Sequence, residues 1–362
     1  MLVLVLNVGS SSIKFELIDP ITGERHGGGI VEEVVDHDAA LAEVVAGLDG
    51  LTVDAVGHRV VHGGEAFSAP TIISDDVLAT LRDLVPLAPL HNPANITGIE
   101  VARKVWPDVP HVAVFDTAFH RTLPAPAYRY AVPAAWYERY GVRRYGFHGT
   151  SHSYVAERAA AVLGRETLDG IVAHLGNGAS ITAISEGRSV DTSMGLSPLE
   201  GLVMGTRSGD LDPTVITHVA TAADRPIEDV FDDLNRASGL RGLCGASDMR
   251  EITARAEVGD EAARLAIDVF AYRIKKYVGA YLAVLGGRCD ALVFTGGIGQ
   301  HSAVIRAAVC AGLEGLGIVL DADRNAGGGD VVSADSSPIT VLVIATDEEL
   351  EIARETADAM SS

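Results

Sequence analysis

The sequence predicts an α/β protein made of two related halves, and three observations carry that expectation. Apolar runs of strand length alternate with longer stretches of helical periodicity, the pattern of helices packed on mixed sheets. The chain opens on a hairpin: Leu2–Leu6, a polar turn Asn7-Val8-Gly9-Ser10-Ser11-Ser12, then the alternating run Ile13–Ile18. The same grammar returns near mid-chain as Ile171–Leu175, the turn Gly176-Asn177-Gly178-Ala179-Ser180, and Ile181–Ile184. Ser12-Ile13 falls on Ser180-Ile181 at a separation of 168 residues, so a duplicated domain is expected.

The remaining elements follow in order. Further strands are expected at Ala55–Val61, His111–Phe115, Ala291–Thr295 and Ile339–Ala345. A helix over Ser151–Leu163 is led in by a serine or threonine cap. Asp260–Leu285 is long and amphipathic, with Leu265, Ala266, Val269, Phe270, Ile274, Tyr277, Val278, Tyr281 and Leu285 at helical spacing. A helix Ser302–Leu313 follows the glycine turn Gly296-Gly297-Ile298-Gly299. Thr346-Asp347-Glu348-Glu349 reads as a T-x-x-E capping box for the last helix. Gly27-Gly28-Gly29 and Gly327-Gly328-Gly329 read as turns, and no Pro- or Ser-rich linker divides the chain.

Composition narrows the function classes. A length of 362 residues suits two domains, and 48% hydrophobic with 21% charged residues excludes disorder of the whole chain. The net charge of −21 argues against nucleic acid or an anionic membrane as partner, because phosphate-rich surfaces demand basic patches. Three cysteines, Cys244, Cys289 and Cys310, without a C-x-x-C pair exclude a disulfide framework and a thiolate zinc site. The first residues lack a basic leader region, and no apolar run is long enough to span a bilayer, so a cytoplasmic protein is expected.

Several residues suggest chemistry. The Asn7–Ser12 turn carries hydroxyls and little bulk, so its backbone can approach a phosphate. Lys14 follows it, one of four lysines among 28 basic side chains; it reads as a phosphate contact or as the solvent-facing residue of an alternating strand. There is no G-x-x-x-x-G-K-[ST], and no G-x-G-x-x-G in a Rossmann setting. Gly-rich turns nevertheless follow strands at His174–Gly178, Met204–Gly209 and Gly296–Gly299, where an anion can meet backbone N–H groups. Seven histidines sit in short polar motifs: His58, His62, His91, His120, His148, His152 and His174. No H-E-x-x-H spacing is present, so they read as donors around an anion or as structural residues. Arg59 and Arg207 stand among glycines, where a guanidinium can fork onto a phosphate or carboxylate. Asp116 ends an apolar strand, and Glu348 lies in the first turn of a helix.

Taken together, eight motifs resemble the acetate kinase family. They are Asn7–Ser12 with Lys14, Gly57–Gly64, Ala88–Pro93, Phe115–His120, Tyr145–His152, His174–Gly178, Gly201–Arg207 and Thr346–Glu349, in order over nearly the whole chain. The resemblance implies two duplicated RNase H-like domains of the actin-like ATPase fold flanking a nucleotide cleft. The first would hold residues 1–120 plus 350–362, and the second, nucleotide-binding domain residues 121–349. It implies ATP and ADP as substrates, Mg²⁺ with Mn²⁺ as a substitute, acetate as acceptor, and a homodimer. Arg59 and Arg207 would hold the carboxylate and the transferring phosphoryl group, His148 would donate to the transition state, and Asp116 matches the essential aspartate. Asn7 and Glu348 match the metal-site positions. Val61, Leu90, Phe147 and Pro198 match the pocket for the methyl group. Lys14, the run His174, Leu175, Gly176, Asn177 and Gly178, then Asp248, Met249 and Arg250, and lastly Gly297, Ile298, Gly299, Gln300 and His301, match ATP-binding segments.

Acetate is already ionised at pH 7, so Asp116 is expected to orient Arg59, metal or water more than to remove a proton. Two departures stand out. Gln300-His301 occupies a place where most relatives continue Glu-Asn, and the chain is short between Arg25 and Ala55, which implies a trimmed first domain. Propionate or another short-chain carboxylate is the alternative acceptor, since one methylene shifts specificity by only about 1–3 kcal/mol. The arginine pair argues against a sugar hydroxyl as acceptor, and the Arg–His–Asp set against a non-catalytic chaperone-like module.

Overall fold

The structure is a computed structural model that describes residues 1–9, 12–34, 37–48 and 50–361. Ser10 and Ser11 of the first predicted turn lie outside the described residues. The strands, in chain order, are β1 (Val3–Val8), β2 (Ser12–Ile18), β3 (Arg25–Glu32), β4 (Ala55–Val60), β5 (Thr71–Ile72), β6 (His111–Phe115), β7 (Gly170–Leu175), β8 (Ala179–Ser185), β9 (Arg188–Thr192), β10 (Ala291–Thr295) and β11 (Thr340–Val343). Among the described residues they form two sheets, ordered β3-β2-β1-β4-β6-β5 and β11-β10-β7-β8-β9.

The two sheets share one topology. In each, an antiparallel three-strand meander opens the sheet (β1-β2-β3 and β7-β8-β9), and two further strands add parallel to the first (β4-β6 and β10-β11). The expected duplication is therefore present, with a corrected register. The hairpins close on Val8 opposite Ile13 and on Leu175 opposite Ala179, so equivalent residues are 167 and then 166 apart rather than 168. The second turn is one residue shorter, and a comparison of two glycine turns without the ladder cannot see that.

Burial on both faces explains the continuous apolar runs. Alternate residues of β1 serve two cores: Leu4, Leu6 and Val8 face one, Val3 and Val5 the other. In β7, Ile171, Ala173 and Leu175 face the largest core while Val172 faces its opposite. The long helix Glu261–Val284, capped by the Asp260 carboxylate on Ala263 N–H, fills the largest core with Phe270, Ile274, Val278 and Tyr281. Leu265, expected on that face, is exposed. The last helix, Glu348–Ser361, returns to the first sheet, packing on β1, β4 and β6 and against the helix Gly149–Val162. These two helices lie between the sheets.

Several local expectations are corrected. Gly27-Gly28-Gly29 is part of strand β3, not a turn; a Cβ on Gly29 would sit 3.1 Å from the Phe15 ring, so the bare backbone lets the strand lie over that ring. The helix expected from Ser151 starts at Gly149, and the residue before it, His148, has φ 58° and provides no side-chain cap. The capping box at Thr346 is absent: Asp347 accepts from Leu350 N–H at 3.1 Å, while the Thr346 hydroxyl donates to Ser151 Oγ at 2.8 Å. Gly296–Gly299 is the start of a short helix, Gly296–His301, and the following helix spans only Ala303–Cys310.

Candidate active site

Parallel strands with helices on both faces leave a crevice beyond their carboxyl ends. Asn7 lies near the end of β1, Arg59 near the end of β4, and Asp116 just past β6; these strands are neighbours. Their side chains converge. Arg59 donates from Nε and Nη2 to the two carboxylate oxygens of Asp116 at 2.9 and 2.7 Å, and its Nη1 lies 3.4 Å from Asn7 Oδ1. Asp116 is 2% exposed. Burial opposes the charge on Arg59, yet the pull of Asp116, with Glu348 and Glu349 behind it, holds its pKa above the ordinary value. Burial raises the Glu348 carboxyl against the attraction of Arg59.

The opposite wall comes from the second half. Gly149 N–H donates to the Asp116 carbonyl at 2.8 Å, and a Cβ on Gly149 would stand 2.4 Å from that oxygen. Only glycine lets the helix start this close to the strand end, and that approach sets His148 at the mouth. His148 stacks on His174 with centroids 4.4 Å apart, and its Nδ1 lies 2.9 Å from Ser180 Oγ. Its Nε2 faces Gly178, whose Cβ position also lies 3.8 Å from Arg207 Nη1. Arg207 donates to the Pro198 carbonyl at 3.1 Å and touches the Met204 thioether; burial lowers its pKa. Burial keeps the histidines neutral. Burial pushes His174 and His120 down to about 4, and burial, then the neighbouring His174 and His152 rings and Arg59 and Arg207, push His148 well below the ordinary value.

These residues surround a cavity of about 240 Å³, lined by Asn7, Arg59, Asp116, His148 and Arg207 on its polar side and by Val8, Val61, Phe147 and Pro198 on its apolar side. Leu90 is a correction: it is 55% exposed and does not line the cavity. Its neighbour His91, at the cap of the helix Asn92–Val105, faces the cavity with Asn95 instead. The motif was legible, but adjacent side chains entering a helix diverge, and nothing in the sequence says which turns inward.

A second cleft of about 880 Å³ adjoins through the Gly176–Gly178 turn. Gly176, Asn177, Asp248, Met249, Arg250, Gly297, Ile298 and His301 line it together with Ser247, Thr253 and Glu257, which the motifs did not reveal. Asp248 caps its helix on Arg250 N–H and pairs with that guanidinium, which pulls its carboxyl down to about 2. Leu175 and Gly299 are buried, and the carbonyls of Gly299 and Gln300 accept from Arg306 at 2.8 and 2.7 Å. Those three residues therefore shape the cleft without lining it. Lys14 lines neither cavity. It is held by Glu349 at 2.5 Å and Glu16 at 3.4 Å, and although burial opposes it, Glu349 keeps its pKa raised.

The amide oxygen of Asn7 and the carboxylates of Asp116 and Glu348 are hard oxygen donors of the kind magnesium takes alongside phosphates. Glu348, half-buried and with its carboxyl raised by that burial, is a carboxylate whose charge a dication would relieve.

The profile of the acetokinase family matches residues 47–354. An acetate kinase of Streptomyces coelicolor is 52% identical over 390 aligned positions, covering 98% of this chain and 96% of that protein. One of Deinococcus radiodurans is 52% identical over 387 positions, covering 98% and 97%. Both alignments run to more positions than the chain has residues, so those relatives carry segments that this chain lacks. Among solved structures, a propionate kinase of Francisella tularensis and an acetate kinase of Porphyromonas gingivalis each superpose with a TM-score of 0.94 at 42% identity, covering 99% of both chains. With the family profile spanning most of the chain and relatives at this identity spanning nearly all of it, the chain belongs to the acetokinase family.

Proposed function

We infer that the chain is an acetate kinase, moving the terminal phosphoryl group of ATP onto a carboxylate oxygen of acetate to give acetyl phosphate and ADP, and the reverse. The observation that carries this reading is the small cavity. Two half-buried guanidiniums and a histidine stand on one side and a short apolar wall on the other, next to a cleft large enough for a nucleotide. That is the complement of a small carboxylate with a stub of alkyl chain.

The roles follow from chemistry. An ionised carboxylate needs no base, so the new P–O bond forms as the bond to the ADP oxygen breaks, and no proton is removed from acetate. The difficulty is bringing anions together. Arg207, without a carboxylate partner among the described residues, meets the anionic substrates. Arg59 is oriented by the Asp116 fork and faces the same space. His148 donates to the transferring group, and Val61, Phe147 and Pro198 bound the methyl. Such donors stabilise charge that spreads over the equatorial oxygens. A magnesium ion held by Asn7, Asp116 and Glu348 would supply charge neutralisation of the phosphates when bound; Mn²⁺ is expected to substitute. The turn Gly176–Gly178, Asp248–Arg250 and Gly297–His301 would hold the nucleotide. We divide the chain at 1–120 plus 350–362 and at 121–349, and expect a cytoplasmic homodimer. Among the described residues no helix is long and apolar enough to cross a membrane.

One observation favours propionate as a second acceptor: Leu90 leaves the apolar wall one side chain short. Turnover of ATP with acetate, propionate and butyrate decides the matter. Acetate is expected to give the highest kcat/KM, and equal or better turnover of propionate overturns the acetate assignment.

A further inference from the structure

Four histidine rings run inward from the mouth of the cavity. His148 stacks on His174; His152 lies 6.4 Å from His174 and 5.7 Å from His120, centroid to centroid. One side chain joins two of them. Ser180 Oγ is 2.9 Å from His148 Nδ1 and 2.7 Å from His152 Nε2, and Ser180 and His152 are both fully buried.

A hydroxyl has one hydrogen to give, and two ring nitrogens face it. Among the described residues these two nitrogens are the only partners of the Ser180 hydroxyl, so one of them accepts the serine hydrogen, which would otherwise be orphaned, and the other brings its own. Burial keeps both rings neutral, so each carries a single N–H. Two arrangements remain. In the first, His152 Nε2–H donates to Ser180, Ser180 donates to His148 Nδ1, and His148 carries its hydrogen on Nε2, the atom facing Gly178 and the site. In the second, every donor is reversed: His148 turns a lone pair to the site, and His152 carries its hydrogen on Nδ1. His152 Nδ1 has no hydrogen-bond partner among the described residues. The second arrangement thus orphans a buried N–H, the rarer and costlier defect, whereas the first leaves only a lone pair there. The adjacent ring is polarised the same way. Thr346 donates to Ser151 at 2.8 Å, which frees the Ser151 hydrogen for His174 Nδ1 at 2.7 Å and puts the His174 hydrogen on Nε2.

We propose that Ser180 and His152 are positioning residues that fix His148 in the Nε2–H tautomer, so that a neutral imidazole always presents a donor to the transferring phosphoryl group. This rests on the reading of His148 as that donor. Neither Ser180 nor His152 touches substrate; they act through His148. The arrangement lets a neutral donor serve at a site already holding two guanidiniums, where an imidazolium would be repelled.

The test is ¹⁵N NMR of histidine-labelled enzyme, with His148 assigned from the His148→Asn spectrum, beside kcat and KM for both substrates. In the wild type, Nε2 of His148 is expected to be the protonated nitrogen and Nδ1 the bare one. In Ser180→Ala the two tautomers should mix, with kcat falling roughly 10- to 100-fold and both KM values holding, the pattern of a mis-set tautomer. His152→Gln keeps an amide donor facing Ser180 and should retain the wild-type tautomer, whereas His152→Leu should behave as Ser180→Ala. A wild-type His148 protonated on Nδ1, or a Ser180→Ala enzyme with unchanged tautomer and unchanged kcat, overturns the proposal. His148→Asn separates the two claims. Unchanged turnover there overturns the donor role of His148 itself, while lost turnover there beside an intact Ser180→Ala enzyme overturns the relay alone.

Discussion

Replacing Arg59 and Arg207 in turn by alanine is expected to separate stability from catalysis, because the two guanidiniums are held differently. Arg59 forks onto Asp116 with both contacts under 3 Å, and Asp116 is almost wholly buried. Arg59→Ala strands that carboxylate, and Glu348 loses the cation that opposes its burial. Breaking a buried pair from one side costs about 3–5 kcal/mol, a large share of the roughly 5–15 kcal/mol that holds an ordinary domain together. Among the described residues Arg207 meets a carbonyl and a thioether, not a carboxylate, and burial already works against its charge. Its removal costs at most about 1 kcal/mol for the lost hydrogen bond, and relief of the buried charge offsets even that. Turnover falls at least about a hundredfold in both, since each loses a donor to the anionic substrates. Urea unfolding followed by circular dichroism gives the first quantity, and acetyl phosphate formation from ATP and acetate gives the second. Equal destabilisation of the two variants refutes the argument from pairing, and near-normal turnover in either refutes the site.

Three further outcomes are expected. Val61→Ala enlarges the apolar wall and should raise kcat/KM for propionate relative to acetate by about tenfold, read by competing the two acceptors; an unchanged ratio places the alkyl group elsewhere. Gly149→Ala drives a methyl into the Asp116 carbonyl and should destabilise the fold by about 3 kcal/mol with loss of turnover, measured by urea midpoint. Burial, then neighbouring acids, push the Glu355 carboxyl up to about 8, and burial, despite Ser153, pushes Glu351 up to about 7. Their folded pKa values lie above the unfolded ones, so the fold is favoured by their protonation: that contribution is complete below about pH 4.5 and is lost as pH rises through 7 to 8. Glu355→Gln should therefore gain stability over wild type from pH 5 to about 8, by at most about 1.4 kcal/mol per pH unit, and level off above that; parallel curves would rule the effect out.

What could be read from the sequence was what lies close in it. The central strands β1, β4, β6, β7 and β10 were legible because both their faces are buried, which writes them as apolar runs, whereas the largely exposed β3, the two-residue β5 and the half-buried β9 carry no such run and were not expected. The glycine run at 27–29 misled, since glycine marks turns through its backbone freedom, while here its bareness serves packing over Phe15. Thr346 and Asp347 are both able to cap a helix. The choice falls to Asp347 because Ser151, far off in sequence, takes the threonine hydroxyl. For Lys14 the sequence left a phosphate contact and a solvent-facing strand residue open, and it could not show the ion pair with Glu349, which lies 335 residues further on. Within the site, Arg59, Asp116, His148 and Arg207 were reached through the family resemblance, and the expected orientation of Arg59 by Asp116 is the fork that the structure contains. Ser180 stands in the repeated turn motif, but a turn serine does not announce which distant histidines its hydroxyl meets, so the bridge was not legible.

A net charge of −21 and a pair of anionic substrates look contradictory until distance is considered. Two unit charges 15 Å apart in water interact by about 0.3 kcal/mol, and physiological salt screens even that beyond roughly 8–10 Å. At 4 Å near a protein surface the same pair is worth about 4 kcal/mol. A dozen surface carboxylates at the longer range therefore weigh less than one guanidinium at the shorter, and many of those carboxylates are already paired, as with Arg25, Arg225 and Arg255. What matters is which cations inside the cavity lack a partner. Asp116 compensates Arg59, burial neutralises the histidines, and Arg207 alone keeps its charge uncompensated by a carboxylate among the described residues. The cavity thus holds a single open positive charge beside a pre-oriented one. Such a pair attracts a carboxylate or a phosphoryl group at short range whatever the sign of the distant surface charge.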